Sequence, residues 1–177
     1  NKTKMVSERV LLSYQDDMMV QVIRPATVCG ISHRMRLDVA VNLLTMQALE
    51  KGKITVFGGD QARPNIHMDD ITDVYLHFMD HPEHTGVFNA GFENITILDI
   101  AKLITKYIPV EVIVTASSDP RSYRVNSDKL LATGFRPKKT VEHAVQEIIE
   151  SYRSGALKDE DHFYNLKWMQ NTGIVER

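Results

Sequence analysis

The sequence predicts an α/β fold built on a parallel sheet, and three observations predict it. Strand-like and helix-like stretches alternate along the chain, as they do in layered α/β domains. Val20-Gln21-Val22-Ile23 is a β-branched run of the kind found in strands buried on both faces of a parallel sheet. That run then meets Pro25, whose missing N–H forbids a central ladder bond, so the chain leaves the sheet just past the strand's carboxyl end. Ligands of open α/β sheets bind in the crevice beyond such ends. The pieces after Phe57 are short and joined by polar loops, which suits a small α/β lobe beside the larger sheet.

Element by element, residues 2–13 read as a helix with Met5, Val6, Val10 and Leu12 inward and Lys4, Ser7 and Glu8 opposite. Residues 14–17 turn the chain into the strand, and residues 31–36 form a polar loop after it. Residues 37–50 form a helix whose stripe Leu37, Val41, Leu44 and Ala48 faces the core, closed by Lys51-Gly52. Residues 54–57 are a strand ending at Gly58-Gly59, and residues 64–68 are extended. Asp69 or Asp70 then caps a helix to about Met79. A loop over 81–86 leads to a strand at 87–90. Thr96 caps a helix over 97–107 that carries Ile100, Leu103, Ile104 and Tyr107 toward the core until Pro109 stops it. A strand over 110–114, a polar segment over 117–124 and a short helix over 127–132, ended by Gly134, come next. Residues 141–152 are amphipathic, with Val141, Ala144, Val145, Ile148 and Ile149 inward. From 154 the chain turns polar and reads as a tail or peripheral helix anchored by Phe163, Leu166, Trp168 and Met169.

The 177 residues suffice for one ordinary domain or most of two small ones. A formal charge of −2 with scattered Lys and Arg gives no nucleic-acid or membrane surface, and no apolar run is long enough for a bilayer. Cys29 is the single cysteine; it excludes an internal disulfide, fits a reducing, cytoplasmic compartment, and reads as a small buried thiol. His81 and His84 could be drawn as a metal pair, but they read as loop residues, and no metal is expected. The chain starts at Asn1, directly at a helix, and looks like a piece of a longer protein.

Four stretches stand in order and spacing: Thr3-Lys4-Met5-Val6-Ser7-Glu8; Ile23-Arg24-Pro25-Ala26-Thr27-Val28-Cys29-Gly30; Val56-Phe57-Gly58-Gly59 through Arg63-Pro64-Asn65-Ile66-His67-Met68-Asp69-Asp70; and residues 119–125 followed by Gly134-Phe135-Arg136-Pro137. Together they resemble the carboxyl-terminal half of the extended short-chain dehydrogenase/reductase family, specifically its nucleotide-sugar epimerases and dehydratases. Pro64 and Asn65 stand where relatives usually carry an acid and an aromatic residue, and Cys29 where many carry tyrosine. The resemblance implies the carboxyl-terminal part of a Rossmann-type parallel sheet plus a small α/β substrate-binding lobe. Residues 1–35 would end the dinucleotide-binding domain, residues 36–153 would form mainly the lobe with one or more segments returning to the sheet, and residues 154–177 a tail.

It also implies a chemistry: transient oxidation of a sugar hydroxyl, with hydride passing to NAD, or to NADP. Lys4 matches the lysine of the family's Tyr-x-x-x-Lys motif, which holds the nicotinamide ribose and favours the phenolate of a tyrosine one helical turn earlier. That tyrosine would fall immediately before Asn1, with the Gly-rich loop further upstream. Pro25 and Ala26 match positions along the nicotinamide, and Thr27 one that reaches the sugar; an ordinary strand exit is the other reading of Pro25. Arg36, Asp38 and Asn42 lie where relatives hold the sugar nucleotide, at what reads as a helix start, although a capping carboxylate and solvated charges would look the same. Thr55 and Phe57 would border the base through backbone groups while also being a core strand. Arg63 and Arg121 are the diphosphate candidates, since a guanidinium offers paired planar donors to phosphate oxygens; Arg124 is a third. His67 and Asp70 match a structural pattern. A nucleotide-sugar substrate and a homodimer are the implied partners. The alternatives are a non-catalytic nucleotide-sugar-binding fragment and a family reductase with a non-nucleotide substrate.

Overall fold

The computed structural model describes residues 2–117 and 121–175, so Asp119 and Pro120 of the last family stretch lie outside the described residues. The chain runs α1 (Lys2–Leu12), β1 (Gln21–Pro25), β2 (Thr27–Cys29), α2 (Ala40–Lys51), β3 (Lys53–Phe57), β4 (Ala62–His67), α3 (Met68–Asp80), β5 (Gly86–Ala90), β6 (Glu93–Thr96), α4 (Ile97–Thr105), β7 (Glu111–Thr115), α5 (Asp128–Leu131) and α6 (Val141–Arg153). A 3-10 turn at Asp161–Phe163 and α7 (Asn165–Asn171) follow. The alternation is that of an α/β protein, and all pairings but one are parallel: β1 with β5, β2 with β4, and β3 with β7, while β6 runs antiparallel to β4.

Pro25 acts as the sequence leads one to expect, with one refinement. It is the last residue of β1, in register with Ala90, and the Ala26 N–H still reaches the Ala90 carbonyl at 2.7 Å. The chain then changes sheets: Thr27 sits opposite Asn65 in the β2–β4 pair. The expected burial on both faces does not hold for β1, whose residues are half-buried and whose Arg24 and Pro25 are exposed. Among the described residues β1 has a partner strand on one edge only, which leaves the strand shallow. The predicted inward face of α1 is likewise open: the helix buries no residue, and Met5, Val6 and Val10 are about half exposed.

The main core lies where α2, α4 and α6 meet β3, around Val41, Leu44, Ile54, Ile100 and Val145. A second cluster joins β4, α3 and β5 through Ile66, Val74, Phe78 and Phe88. A third gathers Met35, Leu37, Met46, Ile148 and Leu157, with Phe163 and Tyr164 against it. This third cluster explains why α2 starts at Ala40 rather than at 37. The Leu37 N–H goes to the Phe163 carbonyl at 3.0 Å and Asp38 Oδ2 accepts the Asn165 N–H at 3.1 Å, so the tail holds these residues out of the helix. The tail is anchored by Leu157, Phe163 and Tyr164, whereas Leu166 is exposed and Trp168 stacks under the Arg34 guanidinium at the surface.

Helix ends follow local chemistry. Gly52 closes α2 in the left-handed region (φ 62°), where a β-carbon would cost energy. Thr96 caps α4 by accepting the Asp99 N–H. The α3 cap is His67, whose Nδ1 accepts the Asp69 N–H at 3.1 Å, and not Asp69 or Asp70. Asp70 is buried and accepts the Lys138 and Lys139 N–H groups at 2.8 and 3.1 Å, tying α3 to the segment before α6. β6, whose residues Glu93-Asn94-Ile95-Thr96 show no apolar alternation, is an element the sequence reading did not contain.

Candidate active site

The sheet change at Pro25–Thr27 creates two hollows, one on each side of it. The first lies between α1 and β1 and measures about 460 Å³. Its walls include Lys4, Ser7 and Glu8 from the helix and Val22, Ile23 and Pro25 from the strand. The Arg24 guanidinium grips the Glu8 carboxylate, and that hydrogen bond holds the Glu8 carboxyl below the usual carboxylate range. The second hollow, about 310 Å³, begins at the next residue: Ala26, Thr27, Ser32, Arg36, Asn42 and Met68 are among its walls. Lys4 and Pro25 therefore share one depression, and Ala26, Thr27, Arg36 and Asn42 share its neighbour across a single peptide.

The floor beside Ala26 is tightly packed. A β-carbon on Gly91 would lie 2.6 Å from Ala26 Cβ and 3.7 Å from Pro64 Cβ and Val125 Cγ1, so only glycine fits between β5 and β4 at this point. Ser127 Oγ bonds both the Gly91 N–H and carbonyl, at 3.0 and 2.8 Å. Asn94 clamps Val125 in the same way, through the N–H at 2.8 Å and the carbonyl at 3.0 Å. Residues 121–127 are thereby strapped along β4 and β6, and the Tyr123 N–H and Ser122 Oγ complete the strap on the Ala62 backbone. Arg63 and Arg121 meet on it: the Arg63 guanidinium donates to the Arg121 carbonyl and lies over the Tyr123 ring, 5.7 Å from its centre. Arg124 reaches the Asn94 carbonyl on the same strap.

Other expected site residues are engaged structurally. Asn42 is buried; its Oδ1 accepts the Gly30 N–H at 3.1 Å and its Nδ2 donates to the Arg36 carbonyl at 2.8 Å, so the side chain shapes the hollow by holding the 30–36 loop. Arg36 and Asp38 are bonded to each other at 2.6 Å, but neither is helical, because the helix start expected around them falls at Ala40. Thr55 lies mid-strand and its N–H is taken by Gln47 Oε1 at 3.0 Å, which removes the backbone donor expected to face a base. Phe57, at the carboxyl end of β3, is exposed. The sequence reading passed over Asn94 and Ser127, whose amide and hydroxyl look like ordinary loop polarity until the strap is seen. Asn65, which the sequence marks only as a departure from the family pattern, has a buried Oδ1 with no hydrogen-bond partner among the described residues and lies in register with Thr27 on β2 and Glu93 on β6.

A sequence model described as the NAD dependent epimerase/dehydratase family matches residues 1–91. Among solved structures the chain is similar to the NAD-dependent NDP-hexosamine 5,6-dehydratase TunA of tunicamycin biosynthesis, with a TM-score of 0.71 and 22% identity over 86% of this chain and 52% of that one. It is similar to UDP-glucose 4-epimerase with UDP-glucose from Thermotoga maritima (TM-score 0.73, 23% identity, 87% and 53% covered). It is also similar to ADP-L-glycero-D-manno-heptose-6-epimerase from Helicobacter pylori (TM-score 0.75, 16% identity, 85% and 50% covered). The chain thus spans about half the length of the solved structures it matches.

Proposed function

The chain belongs to the NAD-dependent epimerase/dehydratase family, and from that premise we propose that it forms the substrate-facing side of an active site that converts a nucleotide sugar by transient hydride transfer. The family's cofactor is NAD; when bound, it accepts and returns the hydride. The residues present fit its nicotinamide–ribose end: the Lys4 ammonium offers donors to ribose hydroxyls, and Val22, Ile23 and Pro25 give the ring an apolar wall in the same hollow. Ala26 and Thr27 continue that wall into the adjoining hollow, where the Thr27 hydroxyl and the Arg36 guanidinium can meet the sugar.

The observation that carries the reading is the junction of Arg63 with Arg121. Arg63, on β4, donates to the backbone carbonyl of Arg121, so two arginines far apart in sequence adjoin at one end of the strap. A diphosphate presents several acceptor oxygens, and guanidinium groups on a backbone-tied strap meet them with little further ordering. Phe57 is proposed at the base end through its exposed ring, with Thr55, its N–H held by Gln47, supporting that strand. Asp38 and Asn42 belong to the site as positioning residues, one fixing Arg36 and the other the 30–36 loop. Residues 1–35 would complete a dinucleotide-binding domain, β5 at 86–90 would return to its sheet beside β1, and residues 36–153 would supply most of the substrate lobe. The exposed apolar face of α1 would meet a second copy in a homodimer, and the buried, unpaired Cys29 suits a reducing, cytoplasmic setting. No helix among the described residues is long and apolar enough to cross a membrane.

The test is calorimetric titration of a UDP-sugar or dTDP-sugar into the full-length protein. Arg63→Ala should weaken binding by about 1–3 kcal/mol, with Arg121→Ala comparable. Affinity unchanged in both variants would remove the diphosphate from this strap.

A further inference from the structure

We propose that His81, Glu83 and His84, on the turn between α3 and β5, form a binding site for a divalent transition-metal ion of the Zn²⁺ class. The Pro82 turn folds the chain so that Glu83 Oε1 stands 3.0 Å from His81 Nδ1 and 3.7 Å from His84 Nε2. The three ligand atoms all lie within 4.8 Å of one another. An ion bonded to each at about 2.0–2.2 Å spans such a set with small side-chain rotations. Two imidazoles and one carboxylate are a borderline donor set that favours Zn²⁺ or its neighbours over Mg²⁺ and Ca²⁺, which take oxygen ligands. Glu83 supplies the carboxylate that two loop histidines by themselves do not.

The surroundings hold the turn in place. Gln21, at the start of β1, directs its side-chain amide to the carbonyls of Phe78, His81 and His84 at 3.0, 3.1 and 3.0 Å. The backbones of both histidines are therefore fixed from a different element. His77, on the last turn of α3, packs its ring 4.5 Å from that of His81 and 6.2 Å from that of His84. Its Nε2 lies 2.8 Å from Thr133 Oγ1, whose own proton goes to the Leu130 carbonyl at 2.7 Å. Nε2 is thus the donor, which ties the His77 ring to α5's end while its face packs against the two histidines.

One other group has similar composition, His67 with Asp69 and Glu147. There both ring nitrogens are committed, Nδ1 to the α3 cap and Nε2 to Glu147 at 3.0 Å, and an ion would have to break the cap. The turn carries no such cost: His81 and Glu83 are exposed and His84 is half-buried. It lies at the far end of α3 from Met68, which lines the Thr27 hollow, and α3's 13 residues separate the two by about 20 Å. Loading the site therefore need not involve the substrate strap.

The experiment is isothermal titration of ZnCl₂ into the untagged, chelator-treated full-length protein, with Co²⁺ absorption as a second readout of coordination. One Zn²⁺ per chain is expected, with Co²⁺ bands showing nitrogen and oxygen ligation. None of the three positions is a core residue, so His81→Ala, Glu83→Gln and His84→Ala can be made without disturbing a core, and each should weaken binding at least about tenfold. His162→Ala, another exposed histidine beside a glutamate, should bind as the parent does. No saturable Zn²⁺ binding, or binding unchanged in the three variants, would overturn the proposal.

Discussion

At the scale of single residues, burial decides what a side chain can do. Cys29 is 1% exposed and gives its thiol hydrogen to the Ile66 carbonyl at 3.5 Å. Burial first, and the nearby Glu93 charge second, push its thiol up to about 12, so almost no thiolate exists at neutral pH. Cys29 should therefore resist an aromatic disulfide reagent at pH 8 and react fully once the protein is unfolded; rapid labelling of the native protein would contradict the assignment. That Cys29 is small, apolar in behaviour and buried could be read from the sequence. The roles of Asn42 and Asn94 could not, because an amide that holds two loops together has the same local signature as one on a solvated turn.

At the scale of elements, long-range contacts override local pattern at the ends and leave the middles alone. The apolar stripes of α2, α4 and α6 lie where periodicity places them, and Thr96 caps α4 as its hydroxyl suggests. The start of α2 moves because Leu37 and Asp38 are held by the tail, a partner more than a hundred positions away and outside any sequence window. Asp38 makes that docking pH-sensitive. Burial raises its carboxyl, but the hydrogen bonds from Arg36 and the Asn165 N–H outweigh burial and hold it below the usual range. A depressed carboxyl contributes stability above its unfolded pKa of about 3.9 and loses it as pH falls through the folded value. The tail should thus stay docked at neutral pH and loosen below about pH 4. Trp168, the single tryptophan, reports this through its fluorescence over the Arg34 guanidinium. Asp38→Asn should remove the acid transition of that signal, and an unchanged profile would show that another group controls the tail.

For the whole molecule, the sheet change at Pro25–Thr27 separates two hollows. Ala26, Thr27, Arg36 and Asn42 line the second hollow, while Lys4 and Pro25 line the first. That the chain leaves its sheet at Pro25 was legible, because a β-branched run ending in proline states it. The strap was not, since its register depends on Asn94, Ser127 and Gly91 meeting across three elements. If the two hollows serve cofactor and substrate as proposed, mutations in them should separate kinetically. Lys4→Met removes the ammonium from the cofactor side and leaves the strap intact, so kcat should fall by on the order of 10²–10⁴-fold, the usual contribution of a proton-transfer apparatus. KM for the nucleotide sugar should change little, because no uniform substrate contact is lost. Arg63→Ala should do the reverse and act first on KM. Steady-state kinetics of the full-length enzyme decide between these outcomes. A Lys4→Met enzyme with parental kcat, or one whose only defect is in KM, would place the ammonium outside the reacting site and break the assignment of the two hollows.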